Sequence, residues 1–168
     1  MDPFEDVLAA NTVYSRHFAD AGTPGKAARG LGVVTCMDSR ISPLEMLGLQ
    51  PGDAKILRNA GARVTDDVLR TLVLAVHLLE VTRVMVVAHS DCRMTTVTDE
   101  QVHAELLARG VDTRSLEFRT IADQISTLAD DVQRIRSSPY LPAGLPVVGC
   151  VYDVHTGLIE VAVPHPDR

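Results

Sequence analysis

Three short stretches, Leu31 to Thr35, Ala54 to Arg58 and Arg83 to Ala88, are dominated by apolar residues without strict alternation. Such runs predict strands covered on both faces, as in a parallel sheet. Helical signals fall between them. Ser42, Pro43 and Glu45 fit a helix start, with Ser as N-cap, Pro in the first turn and Glu as capping-box partner. Thr65, Asp66 and Asp67 cap a second helix that carries Val68, Leu69, Leu72, Val73, Val76 and Leu79 at helical spacing. Further helices are predicted around 98–109 and 115–136. A strand from Pro146 to Tyr152, a turn over 153–157 and a hairpin partner from Leu158 to Val163 follow. Strand, helix, strand, helix, strand with short connections implies parallel strands joined by right-handed crossovers. The expected architecture is a three-layer α/β fold, with a mostly parallel central sheet and an antiparallel hairpin at one edge.

Residues 4–18 read as an additional helix, with Phe4, Val7, Leu8, Tyr14 and Phe18 near one face before any strand has appeared. A Gly/Pro/Ala connector over 21–30 follows it. A chain of 168 residues has the length of one domain. Residues 1–30 are therefore read as a helical arm and connector, and 31–163 as the core of a single domain.

Composition narrows the function classes. Apolar residues make up 46% and charged residues 23%, the profile of a soluble globular chain rather than a disordered one. The N-terminal stretch is acidic and lacks the basic-then-apolar pattern of a signal peptide, and no apolar run is long enough to span a bilayer, so a cytoplasmic location is expected. Sixteen basic against twenty-two acidic residues give a net charge of −6, with the basic ones scattered, which argues against a nucleic-acid partner. Three cysteines are a poor disulfide framework, which leaves buried thiols, nucleophiles or metal ligands.

Position separates these roles. In open α/β sheets, ligands bind beyond the carboxyl ends of the strands. Cys36 directly follows the first strand, and His89 and Cys92 follow the third. Two thiolates and an imidazole suit Zn²⁺ at roughly 2.0–2.3 Å and leave a fourth position open, as in catalytic sites. Asp38 is the candidate to reach that position, and Arg40 can pair with the same carboxylate. With Asp38 on Arg40, a zinc would keep its water, whose pKa falls to roughly 7. With Asp38 on the metal, the site would be closed. Cys150, inside an apolar strand, reads as a core thiol, and His77 as a core or interface residue. His103, His155 and His165 read as exposed. The Asn59-Ala60-Gly61 turn lacks the Lys-Ser/Thr of a phosphate loop and reads as a close-packed turn, with Ala60 and Gly61 lining the metal pocket.

The segments CMDSR, LRNAGA and HSDC, together with the late GCVYDVHTGLIEV, resemble the β-class carbonic anhydrases in order and spacing from about Gly32 to Val163. The resemblance implies Cys36, His89 and Cys92 as zinc ligands, with Asp38 and Arg40 as a dyad beside the metal. The reaction it implies is reversible hydration of carbon dioxide to bicarbonate and a proton by metal-bound hydroxide. Hydrolysis of carbonyl sulfide or carbon disulfide at the same zinc, and a non-catalytic zinc- or bicarbonate-binding role, stand as alternatives. It further implies a homodimer or dimer of dimers, with the N-terminal helix laid over the partner and the cleft at or near the interface. One departure is Arg93, followed by Met94, where the family usually has Gly after the second cysteine. Arg93 either brings positive charge to the metal or points outward.

Overall fold

The computed structural model describes residues 2–166. Its elements are α1 (Glu5–Ser15), β1 (Leu31–Cys36), α2 (Pro43–Met46), β2 (Ala54–Asn59), α3 (Asp66–Leu78), β3 (Arg83–His89), α4 (Asp99–Ala108), α5 (Gln124–Arg136), β4 (Val147–Tyr152) and β5 (Ile159–Val163). The strands form one sheet in the order β2-β1-β3-β4-β5. The first four are parallel and β5 runs antiparallel to β4 at the edge. Because β2 lies to one side of β1 and β3 to the other, the strand order reverses between β1 and β3. That reversal opens a crevice beyond their carboxyl ends.

Every residue of β1 is buried. On one sheet face Val34, Val84 and Val86 pack with Val68 and Leu72 of α3 and with Leu128, Val132 and Ile135 of α5. On the other, Leu31, Val33, Val87 and Cys150 meet Leu49 and the short α2 region. Cys150 is fully buried there, a core thiol as expected. The second face carries only a thin cover, since α2 is a single turn of four residues.

Two expected boundaries and one expected cap differ. The helix expected over 115–136 begins only at Gln124. Asp99, in the first turn of α4, accepts from the amides of Phe118 (2.9 Å), Arg119 (3.3 Å) and Thr120 (2.9 Å), which holds that segment as a loop. Arg119 has φ 57°, a left-handed backbone that ends any helix. Asp123 then caps α5 through the Ser126 amide at 2.6 Å. Ser42 does precede α2 with Pro43 next, but its side chain makes no cap hydrogen bond. The N-terminal helix is α1, shorter than 4–18, and none of its side chains is buried: Leu8 is 59% and Tyr14 58% exposed. No helix among the described residues is long and apolar enough to cross a membrane.

Candidate metal centre

The crevice between β1 and β3 is where the sulfurs and the imidazole meet. Thr35 is level with Val87 across the two strands, so Cys36 and His89 leave the sheet side by side. Cys92 returns after a tight turn in which Asp91 has φ 54°. The ligand atoms of Cys36, His89 and Cys92 all lie within 4.8 Å of one another, and all three residues are buried. His89 Nδ1 donates to the Ser90 carbonyl at 2.8 Å, which sets the tautomer and turns Nε2 inward. Buried Nε2 has no hydrogen-bond partner. An orphaned buried imidazole nitrogen beside two sulfurs is costly unless a cation takes its lone pair. The donor set therefore fits Zn²⁺.

Proton distribution says the same. Cys36 is drawn below its ordinary thiol value, first by the Cys92 thiol hydrogen bond, against burial and with help from His89 and the Gly61 amide. The same hydrogen bond, then burial, pushes Cys92 up. The two thiols thus compete for one negative charge, and a divalent cation between them favours both as thiolates.

Asp38 sits at the mouth. Its Oδ1 accepts from the Arg40 amide and Nε, both at 2.9 Å, and its Oδ2 from Arg40 Nη2 at 2.8 Å. The Arg40 guanidinium holds the carboxyl well below the usual carboxylate range. Oδ2 is also 3.9 Å from His89 Nε2, too far for a hydrogen bond but facing the same small space.

Comparison with known proteins gives the family. A family model described as carbonic anhydrase matches residues 31–113. The chain is 30% identical over 160 residues to β-carbonic anhydrase 1 of Mycobacterium bovis, covering 95% of this chain and 98% of that one. The crystal structure of carbonic anhydrase from Streptococcus mutans superposes with a TM-score of 0.90 at 36% identity, covering 96% of this chain and 98% of that one. The chain belongs to the β-carbonic anhydrase family. It is also 32% identical over 152 residues to a carbon disulfide hydrolase of Acidianus, covering 76% of this chain and 74% of that one.

Within this β-carbonic anhydrase frame, other expected positions can be placed. Gly61 lies in a short turn after β2 and is buried, and its amide donates to Cys36 Sγ at 3.3 Å. Its φ is 80°, and a Cβ there would stand 3.0 Å from Ile121 Cδ1 and 3.3 Å from Met94 Cγ. Ala60, half-buried, precedes it on that turn. The Arg93 side chain is 74% exposed and lies 3.9 Å from Glu105, so it points outward while Met94 packs on Gly61. His77 is exposed, not in the core; its Nε2 is 2.8 Å from the Tyr140 carbonyl. His155 is exposed as expected, but His103 and His165 are half-buried. His103 is covered because its Nδ1 meets Thr113 Oγ1 at 2.8 Å and its ring packs on Phe118.

Two further residues support the site. Arg58 donates through Nε to the Cys36 carbonyl at 2.9 Å and through Nη2 to the Asp38 carbonyl at 2.7 Å, clamping the loop that carries both. Its signals in the sequence are a charged residue at the carboxyl end of an apolar strand and its place in the LRNAGA segment. Gln124 Nε2 donates to the His89 carbonyl at 2.8 Å from the first turn of α5. Nothing local in the sequence marks it, because the start of α5 is set by the loop that distant Asp99 holds.

Proposed function

We propose that this chain catalyses the reversible hydration of carbon dioxide to bicarbonate and a proton, with Cys36, His89 and Cys92 as zinc ligands and Asp38 and Arg40 as the catalytic dyad. The observation that carries the reading is the buried Cys36–His89–Cys92 group with its unpartnered imidazole nitrogen, set beside a carboxylate held ionised by arginine. Bound zinc supplies Lewis acidity, which brings the pKa of a water down to roughly 7. Asp38 accepts the hydrogen bond of the attacking oxygen and so aims its lone pair at carbon. Arg40 keeps Asp38 in that service by occupying both carboxylate oxygens, and Arg58 fixes the backbone from which Asp38 projects. The attacking oxygen forms the new C–O bond, bicarbonate leaves, and the proton goes to solvent.

Stopped-flow CO₂ hydration by the zinc-loaded protein, with metal content measured and Cys36→Ala as the metal-deficient control, tests it. Turnover that requires zinc is expected; a zinc-replete protein with no rate above buffer overturns it. Likeness to a carbon disulfide hydrolase supports a second substrate class at the same metal, over a smaller share of both chains. Sulfide release from carbon disulfide, run beside CO₂ hydration, ranks the two.

The chain is further proposed to act as a homodimer or dimer of dimers of a single zinc-binding domain, core 31–163 and arm 1–30. Support comes from two bare surfaces. α1 and the residue before it leave Phe4, Leu8 and Tyr14 in solvent, and the helix has Glu5 and Asp6 in its first turn. On the thinly covered sheet face a cavity of about 560 Å³ is lined by Leu31, Leu47, Leu49 and Met85 together with Arg29 and Arg83. An acidic, apolar arm from a second copy complements that basic, apolar groove and completes the third layer.

A further inference from the structure

The turn between β4 and β5 is laced to the loop that carries two of the three proposed ligands. The Ser90 amide donates to the Tyr152 carbonyl at 2.9 Å, and the Val154 amide donates to Ser90 Oγ at 3.0 Å. These bonds continue the β3–β4 pairing past its last level, His89 with Tyr152. The outermost tie is His155, whose Nε2–H donates to Asp91 Oδ2 at 2.6 Å. His155 is itself seated by its amide, which donates to Asp153 Oδ1 at 2.7 Å.

Asp91 is the residue that this tie restrains. Its φ of 54° is left-handed, a conformation that Asp adopts more readily than most residues with a Cβ but that a local side-chain contact has to hold. In that conformation its carbonyl accepts from Arg40 Nη2 at 3.2 Å. The same nitrogen donates to Asp38 Oδ2 at 2.8 Å. Asp91 thus offers its carboxylate to His155 and its carbonyl to the dyad. The His155 and Asp91 side chains are 68% and 60% exposed, and exposed pairs of this kind add little to stability. The consequence of the contact lies in where it points the Asp91 backbone.

We infer that His155 is a positioning residue: by holding Asp91 in its left-handed turn it keeps the Asp91 carbonyl on Arg40, and so keeps Arg40 on Asp38. The inference rests on the carbonic anhydrase reading and adds to it a residue from a different strand connection. Without the His155 contact, Asp91 relaxes toward right-handed backbone, its carbonyl leaves Arg40, and Asp38 is held less firmly away from the metal.

The test compares His155→Ala and His155→Gln in the full chain, zinc-loaded for kinetics and cobalt-loaded for visible spectra. For His155→Ala, kcat is expected to fall about tenfold, with Tm within about 2 °C of wild type. At one fixed pH its cobalt spectrum should move toward that of Arg40→Ala, in which Asp38 has lost its partner. His155→Gln, whose amide can still donate to Asp91, should recover both the rate and the spectrum. A His155→Ala protein with wild-type rate and spectrum overturns the inference. So does a His155→Gln protein as slow as His155→Ala with both restored by imidazole buffer, because that pattern is proton transfer rather than positioning. A wild type that holds zinc but does not hydrate CO₂ overturns the anhydrase reading instead, a result told apart by the wild-type arm alone.

Discussion

Three donors of one arginine meet the two oxygens of Asp38, and that geometry decides what each partner can do. Arg40→Ala frees the carboxylate to turn toward the Cys36–His89–Cys92 group, so kcat for CO₂ hydration is expected to fall about a hundredfold or more, measured by stopped flow. Gly61 answers to different physics. Its left-handed φ strains any side chain there, and a methyl group would crowd Ile121 and Met94, which would have to shift. Gly61→Ala should cost about 1–2 kcal/mol in urea unfolding, and by displacing the amide that faces Cys36 Sγ it should also weaken zinc retention against a chelator. At this scale the group able to hold a metal was legible, because sulfur and imidazole at strand ends have few other uses. Arg58 was not, since its work is done on backbone carbonyls that only the fold brings within reach.

Among the elements, the loop ahead of α5 shows one carboxylate overriding a helical pattern. The hydrogen bonds of Thr120, from its side chain and then its amide, lead in drawing Asp99 down to about 2. A carboxylate lowered from its unfolded value of about 3.9 stabilises the fold fully above that value. The contribution is lost as pH falls through about 2. Asp99→Ala should therefore destabilise by about 1.5–3 kcal/mol at neutral pH, measured by urea unfolding, with the gap from wild type closing between about pH 4 and pH 2. Hydrogen exchange should quicken at the Phe118, Arg119 and Thr120 amides. Helix α3 was legible from its Thr65 cap and apolar stripe because every signal for it is local. The 115–123 segment was not, because Asp99 lies about twenty residues away in sequence.

For the whole molecule, metal and assembly are the terms that single residues do not reveal. If zinc binds only the folded chain, a chelator should lower Tm, by an amount equivalent to about 4 kcal/mol when free zinc had stood a thousandfold above its Kd; calorimetry with and without chelator measures it. Replacing Phe4 and Leu8 with Ser should shift sedimentation toward the monomer while leaving the far-ultraviolet circular dichroism unchanged, since neither side chain is buried within its own chain. The sequence by itself determined the α/β class and the parallel strands with their edge hairpin, and it singled out Cys36, His89 and Cys92 as candidate ligands with Asp38 and Arg40 beside them, because apolar periodicity, capping and ligand chemistry are local properties. Only the tertiary structure decided that β1 and β3 are neighbours at the reversal of strand order, that Arg93 faces away while Arg58 and Gly61 face in, and that α1 has no place to pack on its own chain. Those outcomes depend on contacts between residues far apart in sequence, whose free energies exist only once the sheet has formed.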